Sequence, residues 1–159
     1  MIKEYDREKA VGYARRWAMS QNPDFYHFAG IGGDCTNFIS QCLLAGGGIM
    51  DYDLYYGWYY IDVTHRSPSW TSVEFLNRFL LDKSRIGPFA SISTIENLEE
   101  GDIIQLRQNP IRFNHSLIIS KIENGQIYVC AHSQNALDRP LESYPYFEAV
   151  GLHIEGILT

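Results

Sequence analysis

Several features that often reveal function are missing from this chain of 159 residues. No apolar run is long enough to span a membrane, and the first residues carry no hydrophobic leader. As written the chain is therefore expected to be cytoplasmic, although a domain excised from a longer exported protein would look the same. Lysine and arginine total 13 against 19 acidic residues, a net charge of −6, and they form no cluster. Such a surface repels phosphates, so we expect no nucleic-acid partner.

The signatures of several cofactor and enzyme classes are also missing. The three cysteines, at positions 35, 42 and 130, form no C-x-x-C pair of the kind that holds zinc. There is no P-loop, no dinucleotide-binding fingerprint and no G-x-S-x-G motif of serine hydrolases. The sequence therefore carries no cysteine-rich zinc signature and no nucleotide-binding signature.

The chain contains enough hydrophobic residues to form the core of one folded domain. Hydrophobic residues make up 45% and charged residues 20%, as in ordinary soluble proteins. A chain of this length buries a core without disulfide bonds. Because no repeat, low-complexity segment or boundary is visible, residues 1–159 are expected to form a single domain.

The most informative stretch runs from Gly32 to Leu43 and reads GGDCTNFISQCL. Apolar residues at 38, 39, 42 and 43 predict one buried helix face, and three glycines at 46–48 predict its end. Asp34 suits the N-cap, which places Cys35 in the first turn. A helix N-terminus favours thiolate over thiol, so Cys35 is a candidate nucleophile. Cys42 falls on the apolar side and is expected in the core.

Two more helices are predicted before residue 83. Asp6 is the expected N-cap of a helix over 7–19. A second helix is predicted over 72–82, where Thr71 and Glu74 match a capping box. Both segments show the apolar spacing of a helix that buries one face.

The segments between these helices show no regular period. Residues 51–68 are dense in tyrosine and tryptophan, which indicates either aromatic walls of a substrate cleft or a long loop packed down by its aromatics. Residues 86–98 are expected to be a connector without chemistry. His27, in the loop after the first helix, is expected to be a surface residue.

The second half changes to strand periodicity, with strands predicted over 103–106, 115–122, 127–132 and around 152–157. Asn124-Gly125 predicts a two-residue hairpin turn that pairs Ile122 with Ile127. With that register His115 and His132 share one face, with Cβ atoms roughly 7–8 Å apart. A one-residue bulge would undo this arrangement.

Two histidines on one face are typical of a metal site or of an acid–base pair. A metal would require a third ligand at a short spacing, and no nearby carboxylate offers one. Nucleophilic catalysis requires a thiol, a base and a group that orients the base. Cys35, His115 and His132 supply these three types, so we interpret them as a catalytic set.

The same residues carry a resemblance to a known group of enzymes. The segment Asp34–Phe38 before a helix, Gly101-Asp102 before a strand, and Asn114-His115-Ser116 at the next strand resemble papain-like amidases and peptidases with NlpC and CHAP domains. Residues 5–17, 33–43, 69–71 and 132–135 are similar, more narrowly, to the bacterial "putative amidase domain" family. The resemblance extends over nearly the whole chain.

This resemblance implies an α+β papain-like fold, in which N-terminal helices, including the nucleophile helix, pack on a small antiparallel β-sheet. It implies Cys35 as nucleophile, His115 as base and His132 as the third residue. Gln134 or Asn135 could take the third position instead. The residues expected to contact substrate are Asp34, Trp58, Trp70 and Asn114.

The implied activity is cysteine-dependent hydrolysis of amide bonds, with bacterial cell-wall (peptidoglycan) peptides as the substrate class and no cofactor. Two alternatives remain open. One is a peptide-binding module on the same fold, although a pure binder needs no nucleophile–base pair. The other is an acyltransferase, which would use the same Cys–His pair and differ only in the acceptor of the acyl group.

Overall fold

The structure is a computed structural model that describes residues 1–30 and 33–159. It is an α+β fold whose helices pack on an antiparallel sheet. The helices are α1 Arg7–Trp17, α2 Cys35–Ala45, α3 Pro68–Thr71 and α4 Val73–Leu81. The strands are β1 Ile2–Lys3, β2 Tyr60–Asp62, β3 His65–Arg66, β4 Gly87–Ser93, β5 Ile103–Arg107, β6 His115–Glu123, β7 Gln126–Ala131, β8 Ala136–Pro140 and β9 Glu148–Leu158. No helix in these ranges has the length and apolarity needed to cross a bilayer.

The helices α1 and α2 begin where the sequence predicts. The Asp6 carboxylate accepts a hydrogen bond from the Lys9 amide and caps α1, which ends at Trp17 rather than at residue 19. Helix α2 begins at Cys35, and its last turn closes where the Gly46 amide donates to a carbonyl of that turn. Gly32, the first glycine of the predicted turn before Cys35, lies outside the described residues.

The predicted cap of the fourth helix is wrong. Helix α4 begins at Val73, and the Ser72 hydroxyl accepts a hydrogen bond from the Phe75 amide. Thr71 is instead the last residue of the short helix α3. Because α3 already uses Thr71, the capping box with Glu74 does not form.

The eleven-residue strand β9 organises the main sheet, since it pairs with β1, β4 and β5. The strand order is β1-β9-β5-β6-β7-β8, with β4 on the other side of β9. Strand β4 lies in the segment that was expected to be a connector, and that prediction is wrong. Gly87 and Pro88 are atypical of strands, so the sequence gives no strand signal at the start of β4. The strand nonetheless pairs with β9 over its whole length.

The hairpin of β6 and β7 turns at Asn124-Gly125 with the predicted pairing of Ile122 and Ile127. The register then shifts between Ile119 and Lys121, so one residue of β6 bulges out. Because side chains alternate along a strand, this bulge exchanges the two faces of β6 beyond that point. The predicted shared face of the two histidines is therefore wrong.

The two sheet faces contribute to two apolar cores. The core under the helices includes Phe38, Ile39, Leu43, Ile118, Cys130, Leu152 and Ile154. The core on the opposite face includes Leu106, Leu117, Ile119, Val129, Leu141 and Tyr144. The ring of His132 stacks on Phe38 in the first core, whereas the ring of His115 packs near Tyr144 in the second.

Candidate active site

The thiol of Cys35 lies at the point where α2 meets the first residues of β6. Its Sγ atom is 3.9 Å from the carbonyl oxygen of Asn114 and 3.7 Å from the Thr36 hydroxyl. The Ser116 amide also contacts the sulfur. The sulfur therefore contacts the peptide groups on both sides of His115.

Burial raises the pKa of the Cys35 thiol, and the surrounding amide and hydroxyl donors offset this only in part. The residue is 7% exposed. The thiolate that was expected from the helix N-terminus is therefore not the resting form, because loss of hydration outweighs the helix contribution. At neutral pH the side chain is a neutral thiol.

His115 is buried at the start of β6, with its ring centroid 5.9 Å from that of Tyr144. Burial, and to a smaller extent the charge of Arg139, lowers the pKa of His115 to about 4. The imidazole is therefore neutral at pH 7 and able to accept a proton. Among the described residues, the thiol of Cys35 and the ring of His115 share no hydrogen bond; catalytic hydrogen bonds often tighten only when substrate binds.

Asp34 is buried directly before α2. Its Oδ1 atom accepts hydrogen bonds from the Phe28 amide and from Asn37 Nδ2, each at 2.8 Å. Its Oδ2 atom lies 2.6 Å from Nδ1 of His132. Burial alone would raise the pKa of Asp34, but these hydrogen bonds together lower it below the ordinary value. The carboxylate caps no amide of α2, and its oxygens are occupied inside the protein, so the prediction of a substrate contact is wrong.

His132 connects the end of α1 to the residue before α2, and it does not lie beside His115. Its Nδ1 faces Asp34, and its Nε2 lies 2.7 Å from the carbonyl oxygen of Trp17 at the end of α1. Both partners only accept hydrogen bonds, so both ring nitrogens carry a proton and the ring is an imidazolium. A cation at the C-terminal end of α1 and an anion before the N-terminus of α2 both suit the helix dipoles.

The two alternative third residues, Gln134 and Asn135, lie in the exposed turn between β7 and β8. Gln134 has φ 72°, in the left-handed region, as does Ser133 with φ 61°. The Ser133 hydroxyl accepts a hydrogen bond from the Asp34 amide at 2.8 Å. This turn therefore supports the start of α2 through Ser133.

The tryptophans predicted at the substrate belong to the core. Trp58 and Trp70 are fully buried, and their ring centroids are 4.8 Å apart. The indole of Trp58 donates to Ser40 Oγ and that of Trp70 to Asn37 Oδ1, both on α2. The prediction of a substrate contact is therefore wrong for both, because α2 covers them.

Asn114, the fourth residue predicted at the substrate, is exposed. Its side-chain oxygen accepts a hydrogen bond from the Gln108 amide, while its backbone carbonyl contacts Cys35 Sγ. Of the four residues predicted to contact substrate, Asn114 is the only one that is exposed, and its carbonyl lies beside the thiol.

His27, which was expected to be a surface residue, is partly buried beside Asp34 and belongs to this site. Its Nε2 lies 3.7 Å from Oδ2 of Asp34, and its ring meets that of His132 edge-on at 6.2 Å. The side chain is 30% exposed. No short spacing links His27 to the other two residues, so only the fold reveals the cluster.

The chain is similar to one known protein family and to two curated proteins. The family model described as "Putative amidase domain" matches residues 4–154. The chain is 32% identical over 127 residues to "Uncharacterized protein YhbB" of Bacillus subtilis (strain 168), covering 78% of the chain and 40% of that protein. It is 29% identical over 149 residues to "Uncharacterized protein YjcM" of the same strain, covering 89% of the chain and 34% of that protein.

The chain thus spans less than half the length of each of these two relatives. No solved structure matches it significantly.

Proposed function

The chain belongs to the "Putative amidase domain" family, and on this premise we propose that it is a cysteine-dependent amidase that cleaves amide bonds in bacterial cell-wall peptides. Family membership indicates amide hydrolysis at a general level. The thiol mechanism, the papain-like arrangement and the peptidoglycan substrate are the proposal. The observation that carries it is the contact of Cys35 Sγ with the peptide groups on both sides of His115.

The mechanism starts from a neutral pair. As the sulfur of Cys35 attacks the amide carbonyl, the imidazole of His115 takes the thiol proton, so no separate thiolate is needed beforehand. The carbonyl oxygen gains negative charge, and the backbone N–H of Cys35 at the start of α2 stabilises it. The imidazolium then donates its proton to the leaving amine. Water attacks the resulting thioester, which releases the acid and restores the thiol.

His132 and Asp34 serve this mechanism as positioning residues. Their ion pair fixes the residue before Cys35 to the end of β7 and, through Trp17, to the end of α1. Two segments that are distant in the sequence, the end of β7 and the end of α1, thus hold the residue before α2. A nucleophile held in this way requires little reorganisation when substrate arrives.

Purified bacterial peptidoglycan, incubated with the protein, tests the proposal. We expect new amine and carboxyl termini in the soluble fragments, identified by mass spectrometry, in equal amounts. Cys35→Ala should release none, while the matched control Cys42→Ala, which changes a buried cysteine on the same helix, should keep the activity to the extent that it stays folded. Fragments that appear equally with Cys35→Ala would contradict the thiol mechanism, and wild-type protein that releases no termini would contradict the substrate.

A further inference from the structure

Two imidazoles and one carboxylate converge beside the nucleophile helix. His27, Asp34 and His132 each offer a ligand atom, and these three atoms lie within 4.8 Å of one another. Oδ2 of Asp34 stands between Nδ1 of His132 at 2.6 Å and Nε2 of His27 at 3.7 Å. Ligands of one tetrahedral zinc ion are spaced about 3–3.5 Å apart, so small side-chain rotations would suffice.

Two of these three ligands are held by hydrogen bonds to neighbouring groups, as ligands in a metal site usually are. Nε2 of His132 points at the Trp17 carbonyl, which fixes the ring and leaves Nδ1 as the inward atom. Oδ1 of Asp34 is saturated by Phe28 and Asn37, which leaves Oδ2 as the inward atom. Two of the three ligands are thus already oriented by other parts of the protein.

His27, the third ligand, lies on the side from which an ion would enter the site. His27 is 30% exposed on its side chain, whereas Asp34 and His132 are almost completely buried. An ion arriving from solvent would therefore meet His27 first. A fourth position on the solvent side would remain open for water.

We propose that His27, Asp34 and His132 bind one divalent transition-metal ion, with zinc as the best fit. Two imidazole nitrogens and one carboxylate oxygen favour zinc over calcium or magnesium, which prefer oxygen ligands. On binding, the Nδ1 proton of His132 leaves to solvent and the ion takes its place between the imidazole and Asp34. The site does not depend on the amidase activity, because it uses neither Cys35 nor His115.

Calorimetric titration of the chelator-treated full chain with zinc chloride tests this site. We expect one equivalent to bind to the wild type and equally to Cys35→Ala, which removes the thiol next to Asp34 in the sequence. His27→Ala should weaken binding by about 100-fold or more, since even outer-shell changes cost about 10–100-fold. His65→Ala is the matched control, because His65 is an exposed histidine paired with Asp62, and it should bind as the wild type does.

A second measurement distinguishes the ligand atoms. Cobalt bound in the site should show a visible d–d spectrum without a sulfur charge-transfer band, and zinc should displace it. His27→Ala is expected to stay folded, as circular dichroism will verify, because its side chain is partly exposed and lies outside the cores. The proposal is overturned if the wild type binds no zinc, if Cys35→Ala abolishes binding, or if folded His27→Ala binds as tightly as the wild type.

Discussion

Nδ1 of His132 lies 2.6 Å from Oδ2 of Asp34, in a pair that is almost completely buried. The pair connects the residue after β7 to the residue before α2. We expect Asp34→Asn to lower the free energy of unfolding by about 3–5 kcal/mol, because it leaves a buried imidazolium without its counter-charge. Urea unfolding at pH 7 measures the loss.

The control for that variant is Asp62→Asn, which removes the carboxylate from the exposed pair of Asp62 and His65. It should cost less than about 1 kcal/mol, since exposed ion pairs contribute little. If Asp34→Asn is no more costly than this control, the imidazolium assignment of His132 is incorrect.

His115 makes the stability depend on pH in a defined window. In the unfolded chain it binds a proton near its ordinary pKa of 6.5, but in the folded protein only near about 4. Below pH 6.5 the unfolded state therefore takes up the proton first, and stability falls as the pH drops towards 4. The loss approaches about 3 kcal/mol for this group.

Urea unfolding at pH 7 and at pH 4.5, in the wild type and in His115→Gln, isolates this contribution. The variant should lose less stability between the two pH values, because glutamine does not titrate. Parallel losses in the two proteins would show that His115 is not buried as a neutral ring.

Thiol reactivity provides a third prediction. Iodoacetamide should label Cys35 before Cys42 and Cys130, because Cys35 is 7% exposed and the other two are inaccessible. Its raised pKa predicts slow labelling at pH 7 that accelerates as the pH rises. Peptide mapping by mass spectrometry follows each cysteine, and earlier modification of Cys42 would contradict the assignment of the nucleophile.

The two histidines should differ in their kinetic effects. His115→Gln removes the proposed base and should lower kcat by about 100-fold to 10,000-fold. His132→Gln, which still fills the space beside Asp34, should lower kcat less but reduce thermal stability more. Peptide-release rates and thermal melts measure both effects, and equal kcat losses would contradict the separation of a base from a positioning residue.

Much of the fold follows from local patterns in the sequence. The cap at Asp6, the start of α2 at Cys35 and the hairpin turn at Asn124-Gly125 all depend on residues that are neighbours in the chain, and all three are confirmed. The strand β4 was missed because its pairing with β9 is a long-range contact, and its first residues, Gly87 and Pro88, give no strand signal.

The candidate site was predicted less completely, and the reason is the bulge in β6. One extra residue near Ser120 moves every β6 side chain beyond it to the opposite face of the sheet. The hydrophobic period of a sequence does not show where a strand will bulge. That change of face separates His115 from His132, whereas the partnership of His132 with Asp34 and the proximity of His27 depend on packing between distant segments. The types of residue could be chosen from the sequence, but their partners could not.

The sulfur of Cys35 contacts β6 through main-chain atoms, the carbonyl of Asn114 and the amide of Ser116. Main-chain contacts stay the same whichever side chain residue 114 carries. The Asn114 side chain is exposed and bonds to Gln108 rather than to the thiol. We therefore expect substitutions at position 114 to leave the Cys35 thiol in its place, and a library of variants at this one codon would measure how that position affects the proposed activity.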